Sequence, residues 1–127
     1  MIWEQSLQQH LSGDDSLNML GGRIHWDVAP PESSFPYLII QQVSSPEGTT
    51  FDGSPAGSFP LVRFTVWAQT RLRANTIRRL LRDSIEGKEI GVASISIDGF
   101  TDHIDDSMKP ILYGAILDAR FHINNKQ

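Results

Sequence analysis

From Pro60 to Ile85 a strand runs directly into a helix, and this unit limits what the rest of the chain can become. Leu61-Val62-Arg63-Phe64-Thr65-Val66-Trp67-Ala68 is rich in β-branched and aromatic side chains, which suit a pleated, packed surface. Val62, Phe64, Val66 and Ala68 alternate with Arg63, Thr65 and Trp67, so one face is wholly apolar and the other mixed. Thr70 stands where a helix N-cap belongs. Beyond it Ala74, Ile77, Leu80, Leu81, Ser84 and Ile85 recur at helical spacing and form one apolar arc at about 100° per residue. Arg71, Arg78 and Arg82 line up on a stripe beside that arc, with Arg73 and Arg79 close to it. A buried strand feeding an amphipathic helix seeds a two-layer core of sheet and helix.

The remaining segments supply strands and a second helix. Ile2, Leu7 and Leu11 predict a short amphipathic helix ending before Gly13. Asp14-Asp15-Ser16 caps a further turn carrying Leu17 and Leu20, which Gly21-Gly22 stops. Arg23 to Trp26 reads as a short strand, and the three prolines between Asp27 and Pro36 mark a loop. Tyr37 to Ser44 is a long strand with a continuous apolar run. Residues 45–59, rich in Gly, Pro and Ser, read as a flexible loop anchored only by Phe51 and Phe59. After the central helix, Val92 to Ile97 alternates as a strand, Asp98 to Pro110 reads as an acidic turn, and Ile111 to Ile123 closes the chain as a strand. The expectation is a single α+β domain over 1–127, in the order α-β-β-β-α-β-β. A mixed, mainly antiparallel sheet packs on one long helix, with an N-terminal helix beside it.

Composition removes several classes of function. The 127 residues suffice for one domain with a real core. There is no cysteine, so disulfide scaffolds and thiolate chemistry are excluded. A net charge of −4 argues against a surface that grips nucleic acid along its whole extent. The start of the chain lacks a basic segment followed by an apolar one, and no apolar run reaches membrane-spanning length, so neither a signal peptide nor a membrane partner is expected.

Catalytic and ligand motifs require particular residues at fixed spacings. The four histidines (His10, His25, His103 and His122) are scattered and form no metal-binding pair. Asp98, Asp102, His103, Asp105 and Asp106 have oxygen ligands for a hard cation, yet lack the order of a calcium loop. A solvated acidic turn explains them more simply. Gly48 and Gly53 have phosphate-loop spacing, but Ser54 stands where the lysine should be. Gly53-Ser54-Pro55-Ala56-Gly57 is no nucleophile elbow, since the serine is one place early and the proline removes an oxyanion donor. No enzyme activity, catalytic residue, metal or cofactor is expected. The arginine stripe has three readings: a solvated face supported by Arg79–Asp83 and Arg82–Glu86 pairs, a protein interface, or a contact to DNA phosphates.

The order of features across nearly the whole chain resembles the tail-completion proteins of tailed phages, a small prophage family long described only as a domain of unknown function. Arg23-Ile24 is followed by a proline-rich loop and Pro36-Tyr37-Leu38. A glycine-rich segment leads to Phe64-Thr65-Val66-Trp67-Ala68 and an Ala/Leu-spaced helix. Val92 to Ile97, an acidic segment, and a last strand with Tyr113 and Asp118-Ala119-Arg120-Phe121 complete the pattern. The chain departs from it mildly in carrying His25-Trp26 after the Arg-Ile pair, where an aromatic is usual.

The resemblance implies a structural protein that forms a ring, commonly a hexamer, at the head-proximal end of the tail. It would terminate the tail tube or join the tail to the head connector, with DNA passing through the lumen without sequence-specific contact. Implied partners are further copies of the chain, a monomer before assembly, together with the tail tube protein and the connector proteins. The implied location is the virion tail, after assembly in the host cytoplasm. The family brings no catalytic residues, so candidate residues are interface residues: Arg71, Arg78, Arg79 and Arg82 on the helix, Trp67 on the mixed strand face, Phe51 and Gly53 in the glycine-rich segment, and Asp102, Asp105 and Asp106 as acids complementary to the arginines. The competing expectation is a small ligand- or nucleotide-binding α+β domain with a cleft under residues 45–59, where Glu47 and Asp52 are the charged residues at hand.

Overall fold

A computed structural model of the chain describes residues 3–44, 47–49, 55–91, 93–107 and 111–123. The elements run α1 (Trp3–Ser12), a 3-10 helix (Asp15–Leu20), β1 (Ile24–Trp26), β2 (Tyr37–Ser44), β3 (Glu47–Thr49), β4 (Pro55–Ser58), β5 (Leu61–Ala68), α2 (Arg71–Ile85), β6 (Glu89–Ile90), β7 (Ala93–Asp105) and β8 (Leu112–Ile123). The α+β class, the strands β2, β5 and β8 and both helices match the expectation from sequence.

The main body of the sheet has the spatial order β1-β2-β5-β8-β7. Only β1 and β2 are parallel; the other pairs are antiparallel. Val62, Phe64, Val66 and Ala68 of β5 are fully buried, as the alternation requires, and pair with Ala119, Leu117, Ala115 and Tyr113 of β8. On the other side Leu38 and Ile40 of β2 oppose Val66 and Phe64, extending the same apolar face. Ala74, Ile77, Leu81, Ser84 and Ile85 of α2 are buried with that face in one core. Leu7 and Leu11 of α1 and Leu17 and Leu20 of the 3-10 helix complete the layer.

Local chemistry fixes the helix ends. The Thr70 side chain accepts a hydrogen bond from the Arg73 N–H at 3.2 Å, relieving one unpaired donor of the first turn. Asp14 caps the 3-10 helix through the Ser16 N–H at 2.9 Å, and Gly21 ends it in the left-handed region at φ +56°. The Arg23 Nε donates to the Pro36 carbonyl at 2.8 Å and its Nη2 to the Met19 carbonyl at 3.3 Å, joining the 3-10 helix to the loop before β2. His10 of α1 hydrogen-bonds the Ser84 carbonyl near the end of α2, again linking separate elements.

Two segments differ from the sequence expectation. The stretch 45–59 is not wholly a loop: β3 and β4 pair antiparallel and prolong the β2–β5 hairpin. The backbone alternation is weak there because glycine and proline carry no strand signature, and cross-strand pairing overrides propensity. The stretch Asp98 to Asp105 is strand, not turn, because β7 continues to Asp105. Ile97 opposes Ala119 and Gly99 opposes Asp118, so Asp98 is an extra residue, a β-bulge. The bulge reverses the alternation. Before it Ala93, Ile95 and Ile97 lie on the helix side; after it Phe100, Asp102 and Ile104 do, opposite Leu117, Ala115 and Tyr113.

Phe64→Ala is expected to remove about 3–5 kcal/mol of stability, because a fully buried ring at the centre of the core leaves a cavity. Denaturant unfolding of the two proteins measures it.

Candidate interaction surfaces

The reversal at Asp98 brings an acid under the arginine stripe. Arg78, its side chain 12% exposed, places Nη1 2.8 Å from Asp102 Oδ1. Arg71, one end of the stripe, places its Nη1 3.1 Å from Asp102 Oδ2. One carboxylate on β7 therefore holds two arginines seven residues apart on α2. Arg78 also donates to the Thr101 carbonyl at 2.9 Å and the Ile116 carbonyl at 3.4 Å, and its guanidinium lies 4.9 Å from the Phe100 ring centroid. Arg71 stands 5.4 Å from the Tyr113 ring. These contacts fasten α2 to the half of β7 beyond the bulge.

The rest of the stripe divides differently. Arg82 makes a two-pronged pair with Glu86, at 3.2 and 3.1 Å, which raises the Arg82 pKa through that hydrogen bond and then its charge. The other helical pair read from the sequence, Arg79–Asp83, does not form: among the described residues Arg79 has no ion-pair partner. Arg79 instead lines a cleft of about 270 Å³ with Asn75, Arg78, Arg82, Phe100 and Leu117. Arg71, Arg78 and Asp102, expected from sequence as complementary charges of an interface, pair with one another within the chain.

The opposite face of the sheet carries the other predicted residues. Trp67 lies over Gly114, where a Cβ would come 3.1 Å from the indole, close enough that the ring would have to shift by a few tenths of an ångström to admit one. It meets His103 edge-on at 5.8 Å between centroids. Trp67 also lines a groove of about 540 Å³ between the sheet and the loop 27–36, with Phe35, Tyr37, Ile39 and Asp105. Burial, and then the Asp105 carboxylate, raise the Tyr37 phenol above its ordinary value, so it stays neutral at physiological pH. Asp105 is itself lowered, first by the Ser107 hydroxyl and then by the Ser107 N–H. Asp102 and Asp105 therefore sit on opposite faces of β7 and cannot share a cation. Asp106 is exposed beyond the strand. Phe51 and Gly53 lie outside the described residues, as does Asp52 of the competing ligand-cleft reading. At the middle of this face Arg63 and Asp118 form a bidentate pair at 2.9 and 3.2 Å across β5 and β8, neither residue weighed as a partner from the sequence.

A profile of the tail completion protein gp17 family matches residues 5–120, from α1 through most of β8. The chain belongs to that family. A tail completion protein has a structural role in a phage tail. Among solved structures the fold resembles a chain in the virion of a native gene transfer agent particle, with a TM-score of 0.71 and 15% identity, covering 96% of this chain and 97% of that one. Among curated proteins no sequence relative is detected.

Within this tail completion protein, the division of the stripe has a measurable consequence. Arg78→Ala is expected to cost about 1–3 kcal/mol, through lost hydrogen bonds and lost packing on Phe100. Asp102→Asn is expected to cost about 1 kcal/mol, since the carboxylate is partly solvated. Arg79→Ala is expected to stay within about 0.5 kcal/mol of the parent. Thermal melting of the three variants checks the ranking.

Proposed function

We propose that this chain builds a closed ring at the head-proximal end of a phage-type tail, where it terminates the tail tube, joins the tail to the head connector, or does both. The observation that carries this reading is the family profile spanning residues 5–120, which takes in the sheet, both helices and the arginine stripe as one unit. The shape of the sheet supports it. Its two lateral margins are unlike: three-residue β1 at one and thirteen-residue β7 at the other. Contact between unlike margins of successive copies is head-to-tail, and head-to-tail contacts close into rings when the rotation permits.

In this reading the partners are further copies of the chain, commonly six in all, then the tail tube protein on one side and connector proteins on the other. DNA passes through the lumen. A net charge of −4 suits a passage that does not grip phosphates, and it disfavours phosphate contact as the purpose of the stripe. The protein is assembled in the host cytoplasm and resides in the virion tail. Chemistry is not part of the role.

Native mass spectrometry and negative-stain imaging of the purified protein, alone and with tail tubes, test this reading. Closed rings, or caps confined to one end of the tubes, are the expected result. A protein that stays monomeric and never associates with tubes overturns it.

A further inference from the structure

The net charge of −4 is not spread evenly. Residues 1–36 carry five acidic side chains and one arginine, whereas residues 37–127 hold ten acidic and ten basic side chains. The one arginine of the first segment, Arg23, is committed to the carbonyls of Met19 and Pro36. Helix α2 is the opposite case, with five arginines and one aspartate. Asp102 and Glu86 pair with three of those arginines, which leaves Arg73 and Arg79 without an ion-pair partner among the described residues, and of the two Arg79 stands beside Phe100 of β7.

Each margin also presents an apolar side chain to water. At the β1 margin the strand ends in a corner at Asp27, held in the left-handed region at φ +69° while its N–H donates to the Ile40 carbonyl at 2.9 Å. Aspartate tolerates that backbone better than most residues, and the conformation persists only where surroundings fix it. Val28 at this corner is 75% exposed, and with Asp27 it lines the mouth of the groove on the face of the sheet away from α2. At the β7 margin Phe100 is 62% exposed on the wall of the Arg79 cleft. β1 and β7 lie at opposite ends of the main sheet, so the exposed acid and valine stand at one end and the arginine and phenylalanine at the other.

We propose that the Asp27–Val28 corner of one copy seats in the Arg79–Phe100 cleft of the next, a contact that rests on the ring reading above. The Asp27 carboxylate meets the Arg79 guanidinium, and Val28 covers the exposed ring of Phe100. Side chains make the contact, not strand addition. Part of the outer edge of β1 is already used within the chain, because the Ile24 N–H donates to the Gly22 carbonyl and the Trp26 carbonyl accepts from the Val28 N–H. Each copy has one corner and one cleft on opposite margins, so every contact leaves the complementary surfaces free for the next copy. Charge complementarity selects the register, and apolar cover excludes water from it.

The test uses Arg79→Glu and Asp27→Arg in the full chain, each alone and then mixed in equal amounts, read by native mass and by caps on tail tubes. Each variant alone is expected to raise the protein concentration for half-assembly by about tenfold or more, because like charges then face one another. The mixture is expected to restore rings, since alternating copies regain an opposite pair at every contact. Circular dichroism and melting are expected to match the parent. If Asp27→Arg lowers the melting temperature, Asp27→Asn, which keeps the left-handed corner, is expected to weaken assembly without that loss. Arg79→Glu rings that assemble like the parent overturn the pairing while leaving the ring itself intact. Two defective variants that fail to rescue each other also overturn it, and direct Arg79 to DNA phosphate or to the tube. Parent protein that forms no ring under any condition defeats the ring reading first.

Discussion

The burial of one face of β5 is the constraint on which the rest depends. Val62, Phe64, Val66 and Ala68 are removed from water only if α2 lies across them, and α2 follows β5 by two residues. That short connection sets helix and strand against each other with little freedom. β2 and β8 then join β5 on its two sides because their own apolar residues continue the same face. The positions of the arginines are a consequence: once the apolar arc of α2 is turned inward, its charged stripe projects along the β7 side.

A helix with five arginines and one aspartate needs negative charge nearby, and the fold supplies it selectively. Asp102 receives Arg71 and Arg78, while Glu86 receives Arg82. Partly buried Arg78 is thereby a structural residue that clamps helix to strand. Arg79, one residue on and about 100° around the helix, remains available to something outside the chain. A stripe that looks uniform in sequence is thus divided, and adjacent arginines differ in whether the chain itself pairs them.

Much of this was legible beforehand. A continuous apolar run marked β2, two-residue alternation marked β5, and the Thr70 cap with the apolar arc marked α2, because burial leaves a strong local signal. The Asp14 cap and Gly21 stop were visible for the same local reason. The far half of β7 was not. A bulge at Asp98 shifts the apolar phase from Ile95 and Ile97 to Phe100 and Ile104, which breaks a period-two pattern, and Asp and Gly there mimic a turn. Missing the strand meant missing the site, since only the strand's register shows that Asp102 faces α2 while Asp105 faces the aromatic groove. Arg63–Asp118 escaped notice because the residues lie 55 apart and only β5–β8 pairing joins them.

The most direct test of the account is an electron cryomicroscopy reconstruction of the protein seated at the end of tail tubes, at a resolution that places α2 and β1. The account predicts a closed ring in which the α2–β7 side of each copy faces the β1 margin of its neighbour, with Arg79 within ion-pair distance of an acid on that margin. A ring in which α2 lines the lumen or faces solvent, or density for a single copy bound to the tube, would contradict it.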